Sequence, residues 1–167
     1  GSYPHPTPGE VVYTGRYVGL TNLDSQGGDL LPPPVGLAPE LIPTQAASTQ
    51  GDVVLRANFG DRAVEGNIIN RRISETPGGV VINLPSLVLI NTQITEGGTF
   101  SGTVEYDQTG FPADRVTGTS IGSSAGIFGG IDATEVAGAI KLNEFDVPGN
   151  PLGLTNESET GIFVLDR

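Results

Sequence analysis

The chain has one histidine and no cysteine, and these two counts restrict the chemistry it can perform. His5 lies near Tyr3 in a proline-rich stretch, and a His–Tyr pair can ligate haem iron; the alternative is an exposed residue of a tail. A catalytic triad needs a histidine base that is held in place. Without cysteine there is no thiolate nucleophile and no cysteine-ligated zinc. We therefore predict no catalytic residue.

Carboxylates are plentiful, but their positions favour a solvated surface. Glu65, Glu105 and Glu135 alternate with apolar residues along the predicted strands, so their side chains are expected to point to the solvent side. Acid catalysis needs a carboxyl group in a desolvated pocket. The stretches 107–114 and 143–150 contain the oxygen ligands that calcium prefers. Neither stretch follows the twelve-residue calcium loop, which favours ordinary turns, and we predict no metal site.

Aromatic residues share the parity of the apolar set and are expected to point inward. They are Tyr13, Tyr17, Phe59, Phe100 and Tyr106. An eight-stranded barrel is close to the size at which a filled interior gives way to a small-ligand cavity. Tyr13, Tyr17 and Tyr106 are therefore weak candidates for lining a haem or hydrophobic-ligand site, and a packed interior without cofactor is the alternative.

The elements that must position these residues are short alternating runs separated by turns. A first strand is predicted over 11–20 and a last strand over 160–167. Between them, three hairpins are centred on Gly60-Asp61-Arg62, Glu96-Gly97-Gly98 and Ile131-Asp132-Ala133. The predicted strands of the second and third hairpins are 87–95 with 99–107 and 121–130 with 134–143. The pattern predicts an all-β, soluble, eight-stranded antiparallel up-and-down barrel.

Two segments fall outside this pattern. Residues 1–10 are predicted to be a tail or linker, which leaves 11–167 as one barrel domain. Residues 23–50, rich in proline, are predicted to form a long loop after the first strand, with one helical turn in the string PELIPTQAA. Loops of this length in a compact domain are often functional.

A five-residue pattern occurs four times in the sequence. It has an aromatic residue or valine at its first position, glycine at its third and an apolar residue at its fifth. The four glycines are Gly15, Gly66, Gly102 and Gly138, and the last three are spaced by 36 residues. Each has the parity of large apolar neighbours. Inward glycines let strands bend, which helps a sheet close into a barrel.

Charge excludes one class of partner. The net charge is −11, with eight basic residues against 19 acidic ones. Nucleic-acid binding relies on clustered Lys and Arg, so nucleic acid is excluded as a partner. The predicted outward positions are polar, the reverse of a membrane barrel, and no apolar run of 18 residues is present. A signal peptide or lipidated cysteine upstream of residue 1 is compatible with the sequence.

Several motifs resemble the barrel domains of the transferrin-binding protein B superfamily, which includes factor H binding protein and haemophilin-type barrels. The segment 53–68 is similar to the family's strand, Asp-Phe-Gly turn and glycine-containing strand, with Asn58 replacing Asp. The segment 126–138 is similar to the signature Gly-x-Phe-Tyr-Gly-x-x-Ala-x-Glu-x-Gly-Gly, with Gly129 and Ala137 as departures. The strands at 100–104 and 161–163 complete the resemblance.

The resemblance covers about residues 11–22 and 51–167 and implies the fold, together with a lipid-anchored position on the bacterial outer membrane or secretion. It implies a protein that binds a host protein or haem, in iron acquisition or host interaction. Together with the lack of a catalytic constellation and the size of the barrel, this predicts a non-enzymatic binding protein whose partner is a protein, a small hydrophobic ligand or haem. It transfers no contact residue, because the family's contacts lie in variable loops. A structural or assembly module whose barrel carries no ligand is the alternative.

Overall fold

The computed structural model describes residues 9–21, 36, 47–74, 81–107, 120–143 and 158–167, and these residues form nine β-strands and no helix. Consequently, none of them belongs to a helix that could cross a membrane. The strands are β1 (Glu10–Thr21), β2 (Ala47–Asn58), β3 (Ala63–Ile73), β4 (Ile82–Asn83), β5 (Leu87–Gln93), β6 (Thr99–Tyr106), β7 (Gly122–Gly129), β8 (Glu135–Asn143) and β9 (Ser158–Asp166).

Eight of these strands close into an antiparallel barrel. Each pairs with its neighbour in chain order, β4 adds a short pairing at the end of β3, and β1 closes the sheet against β9. The closing pair runs from Thr14 opposite Asp166 to Thr21 opposite Glu159. The predicted all-β, up-and-down barrel closed between its first and last strands is confirmed.

The hairpins lie where turn chemistry predicts them. β2 and β3 join around Gly60, β5 and β6 around Gly97, and β7 and β8 around Asp132. Arg62, Asp132 and Ala133 adopt left-handed backbone angles, with φ of 54°, 58° and 53°. Such angles are typical of tight hairpin turns.

The predicted loop over 23–50 is too long at its C-terminal end. Residues 47–50 belong to β2, and Ala47 pairs with Thr21. The strand extends because β1 pairs with all four of these residues and β3 pairs with Thr49 and Gln50, which satisfies their backbone groups. Apart from Gly36 and Ala47, the proline-rich remainder and the helical turn predicted over 39–47 lie outside the described residues.

A large apolar core fills most of the barrel interior, and a smaller apolar cluster of Ala47, Ile73 and Leu84 lies at the other end of β2 and β3. Buried side chains alternate with exposed ones along the strands, as along β9, where Glu159, Gly161, Phe163 and Leu165 are buried. The core contains Tyr13, Tyr17, Leu55, Ile68, Leu87, Phe100, Phe128, Val136, Ile140 and Phe163, among others. At about 25 cal/mol per Å² of apolar area removed from water, this burial is the main stabilising contribution.

The four repeated glycines lie on the inward side of β1, β3, β6 and β8. Gly138 is directly opposite Phe163 on β9. A β-carbon at Gly138 would overlap the Phe163 ring and lie 2.7 Å from the Ala125 carbonyl oxygen. The missing side chain is therefore the space into which an aromatic ring from the next strand packs.

Candidate functional site

The two ends of the barrel differ in their connections. At one end, which we name the hairpin end, the three hairpins join neighbouring strands through short turns. At the other, the loop end, β1 ends at Thr21, β2 begins at Ala47, β8 ends at Asn143 and β9 begins at Ser158. Long connections therefore leave the loop end, and binding residues in proteins of this kind concentrate on such loops.

Directly inside the loop end lies a buried polar cluster formed by Tyr17, Thr49, Arg71 and Glu159. The Arg71 guanidinium donates to Glu159 Oε2 at 2.6 Å. The hydroxyls of Tyr17 and Thr49 donate to Glu159 Oε1 at 2.5 and 2.9 Å. The second guanidinium NH₂ group donates to the Pro85 carbonyl at 2.7 Å. The cluster thereby links β9, β1, β2 and β3 across the closing seam.

Arg71 reaches the interior because β3 contains a β-bulge. Gln50 pairs with Arg72 but Asp52 pairs with Ile69, so β3 carries one extra residue at this level. Asn70 adopts a left-handed φ of 52°, and its side-chain amide donates to Asp52 at 2.8 Å. The bulge shifts the alternation of β3 by one residue and turns Arg71 inward.

Glu159 reaches the interior through ordinary alternation along β9. Its neighbours on the same face, Gly161 and Phe163, are also buried. Gly161 leaves the space that the Tyr17 ring occupies, since a β-carbon there would overlap the ring. This arrangement allows the Tyr17 hydroxyl to meet the carboxylate.

Burial and pairing determine what this cluster can do. The side chains of Arg71 and Glu159 are 1% and 0% exposed. Burial, followed by the adjacent Glu159 charge, raises the pKa of Tyr17 far above its usual value, so the phenol remains a proton donor. Within the described part of the chain, Arg71 Nε has no hydrogen-bond partner. A buried carboxylate that accepts hydrogen bonds from three side chains on β1, β2 and β3 fixes the positions of those strands relative to β9.

The three tyrosines predicted as weak ligand candidates are separated by the structure. Tyr13 lies toward the hairpin end, where its hydroxyl donates to the Ala133 carbonyl at 2.6 Å, and burial raises its pKa. Tyr17 belongs to the polar cluster at the opposite end, and Tyr106 packs partly buried against the core. Their rings contribute to one packed interior, and the hydroxyls of Tyr13 and Tyr17 are both engaged by protein atoms.

The predicted surface carboxylates lie on the outside. Glu65 and Glu135 are exposed and Glu105 is half-buried. Glu65 borders an open outer groove of about 180 Å³, which also includes Glu10, Arg56 and Asp61. Pockets for small organic ligands are larger, roughly 300–1,000 Å³. In the described ranges, no three acidic or histidine side chains are arranged to bind a metal. His5, Tyr3 and all but the first residue of each of the stretches 107–114 and 143–150, which were predicted to be ordinary turns, lie outside them.

Comparisons with known proteins place this fold. No protein-family model matches the chain, and no curated protein matches it. Several solved structures match the fold of the chain. One is transferrin-binding protein B of Haemophilus parasuis Hp5, at 16% identity and a TM-score of 0.54, covering 97% of this chain. Another is isotype 1 transferrin-binding protein B of serogroup B Neisseria meningitidis, at 16% identity and a TM-score of 0.54, covering 99% of this chain.

The barrel shares its fold with these two structures. The resemblance expected from the glycine and aromatic motifs is confirmed at the level of the fold. The chain spans 27% and 28% of the lengths of those two proteins, so it corresponds to one portion of them. Identity at this level shows a shared architecture, and function has to be argued from this chain's own surfaces.

Proposed function

We propose that this chain is a non-enzymatic binding protein, displayed on the bacterial surface through a lipid anchor or secreted, that serves iron or haem capture or contact with a host protein. The observation that carries the proposal is the contrast between a filled barrel and a loop end with long connections. A packed interior favours an outer binding surface, and the long connections supply it. The transferrin-binding protein B-like fold supports the same class of function.

Charge indicates which partner the loop end favours. The connections 22–46, 75–80, 108–119 and 144–157 contain eight Asp and Glu residues and one Arg, against a net charge of −11 for the whole chain. Complementary charge accelerates encounter and selects among partners. The proposed partner therefore presents a basic surface to the loop end, and the interaction weakens as salt increases.

A cofactor inside the barrel has less support. Haem needs an axial ligand and an open pocket, whereas the hydroxyls of Tyr13 and Tyr17 are held by Ala133 and Glu159. We propose that the barrel itself holds no cofactor, and that any haem would bind outside it. Titration of haem, followed by its absorbance, tests this part. If the absorbance of bound haem shows iron ligation that is lost in Tyr17→Phe, haem binds in the interior and this part of the proposal is wrong.

The principal experiment measures binding of transferrin and of haem to the immobilised chain at low and moderate salt. One variant neutralises the first connection through Asp24→Asn, Asp29→Asn and Glu40→Gln. Its matched control neutralises the hairpin end through Asp61→Asn, Glu96→Gln and Asp132→Asn. We expect the first variant to bind more weakly than the control. Equal effects of the two variants would remove the loop end as the binding surface, and binding of neither probe would remove the iron-related function.

A structural or assembly role is the second candidate. It is favoured by exposed apolar side chains on the outside of β1, β7 and β9, among them Val18, Ile127 and Ile162, because neighbouring exposed apolar residues mark interaction surfaces.

A further inference from the structure

One side of the barrel exposes apolar residues where outward positions elsewhere are mostly polar. Ile162 and Val164 on β9 are 62% and 65% exposed, and Val18 on β1 is 52% exposed. Ile127 on β7 is 50% exposed. Scattered exposed apolar residues are normal in proteins, but contiguous ones mark interaction surfaces.

The strand register makes these residues contiguous. Val18 is opposite Ile162, Ile162 is opposite Ala139, and Ala139 is opposite Ala125. A second row runs from Val164 through Ala137 to Ile127. We name these two rows the apolar face. The three alanines are exposed as well, so small and apolar side chains continue without a charge along the first row on four strands and along the second row on β9, β8 and β7.

Its size matches a modest protein interface. From the exposed fractions, the apolar face presents on the order of 600 Å², at the upper limit for the largest patch on a monomer. A stable interface buries about 800 Å² per partner. The polar residues that border the two rows supply the remaining area.

Charges at the two ends of the face identify the partner. Lys141 lies beyond the face toward the loop end of β8. Glu135, at the hairpin end of the same strand, is opposite Asp166, and all three are exposed. A two-fold axis that lies in the plane of the interface and runs perpendicular to the strands would bring the two faces together with their strands antiparallel. It would place Lys141 of one copy over Glu135 and Asp166 of the other. It would also place the acidic connections of the two copies at opposite ends of the pair.

We infer that two copies of this chain pack through the apolar face, with their strands antiparallel, to form a two-fold dimer. In this arrangement Lys141 meets the opposite charges of Glu135 and Asp166, so the contact is complementary to itself, as an isologous interface requires. Arg16, which is opposite Val164 on β1, lies at the edge of the second row and is paired with Asp52. A partner of uniform charge would be repelled at one end of the face. The inference goes beyond the proposed function and does not depend on it, because the two rest on different residues of the chain.

Sedimentation velocity of the full chain from about 1 µM to about 500 µM at moderate salt tests the dimer. Ile162→Asp should abolish the dimer, while Ile131→Asp, a charge introduced at the exposed hairpin tip, should leave it unchanged. Far-UV circular dichroism verifies that both variants are folded. A chain that remains monomeric at all these concentrations overturns the inference, as does equal association of the two variants.

Charge exchange tests the antiparallel arrangement. Lys141→Glu and Glu135→Lys alone should each raise the dimer dissociation constant by about tenfold. The double variant should return it to within about threefold of the original value. Additive weakening in the double variant overturns the antiparallel packing. Transferrin or haem binding is expected to be unchanged in these variants, because the substitutions lie outside the long connections at the loop end; failure of the dimer and failure of the proposed function are therefore distinguishable.

Discussion

Replacing Arg71 with methionine removes a cation from the interior of the barrel while retaining most of its apolar volume. The side chain is buried, and its guanidinium contacts Glu159 at 2.6 Å and the Pro85 carbonyl at 2.7 Å. Without it, the Glu159 carboxylate stays buried with only two hydroxyl donors. Breaking a buried pair by removing one partner costs about 3–5 kcal/mol. A domain's whole stability is about 5–15 kcal/mol, so Arg71→Met is expected to be folded but severely weakened.

Urea unfolding followed by far-UV circular dichroism measures this loss. The matched control is Arg16→Met, because Arg16 forms an ion pair of the same 2.6 Å length with Asp52 on the outer surface. Exposed pairs contribute about 0.2–1 kcal/mol. A loss in Arg71→Met no larger than that in the control would refute the role given to the buried polar cluster.

The double variant Arg71→Met/Glu159→Gln separates the charge from the contacts. The glutamine side chain carries no charge but still offers an oxygen to Tyr17 and Thr49, so the double variant should be more stable than Arg71→Met by at least about 1.5 kcal/mol. If the two substitutions destabilise additively, the unpaired buried charge is not the cause of the loss.

Three further outcomes are expected. Because the pKa of Tyr17 is raised on folding, the contribution of Tyr17 to the free energy of unfolding is complete below about pH 10 and declines above it. Urea unfolding measured at increasing alkaline pH should therefore show a smaller loss of stability in Tyr17→Phe than in the original chain. An equal loss in both would contradict this. Gly138→Ala should cost about 1–3 kcal/mol through overlap with Phe163, whereas Gly129→Ala, with open space around it, should stay within about 0.5 kcal/mol. Arg62→Gly relieves a left-handed backbone angle and should increase the free energy of unfolding by about 0.5–1 kcal/mol, which thermal unfolding would detect as a higher midpoint. A lower midpoint would show that the turn is not strained.

The architecture was predictable because local signals agree along most of the chain. Alternation, turn residues and glycine spacing locate the hairpins and the closing pair within a few residues. The start of β2 was missed, because Ala47-Ser48-Thr49-Gln50 has no large apolar residue and follows several prolines. Those four residues are in a strand because their neighbours supply backbone partners, which is a tertiary effect.

The buried polar cluster was missed for two separate reasons. Extrapolating the alternation of Val64, Gly66 and Ile68 places Asn70 inward and Arg71 outward. Only the β-bulge turns Arg71 inward instead. The one local signal for that bulge was Asn70, because asparagine readily adopts the left-handed conformation. Glu159 was predictable in principle, since it shares the parity of Gly161 and Phe163. The partner of the loop end is not predictable in this way, because binding loops follow no periodic pattern.

The order in which the strands pair has a consequence for how the protein is made. Pairings between strands adjacent in the chain can form as the polypeptide emerges, but the β1–β9 seam joins strands at opposite ends of the barrel sequence. Until β9 arrives, β1 and β8 present open edges and Arg71 lacks its counter-ion. A cell that synthesises or exports this chain has to keep an unfinished sheet from pairing with other chains until its closing strand is in place.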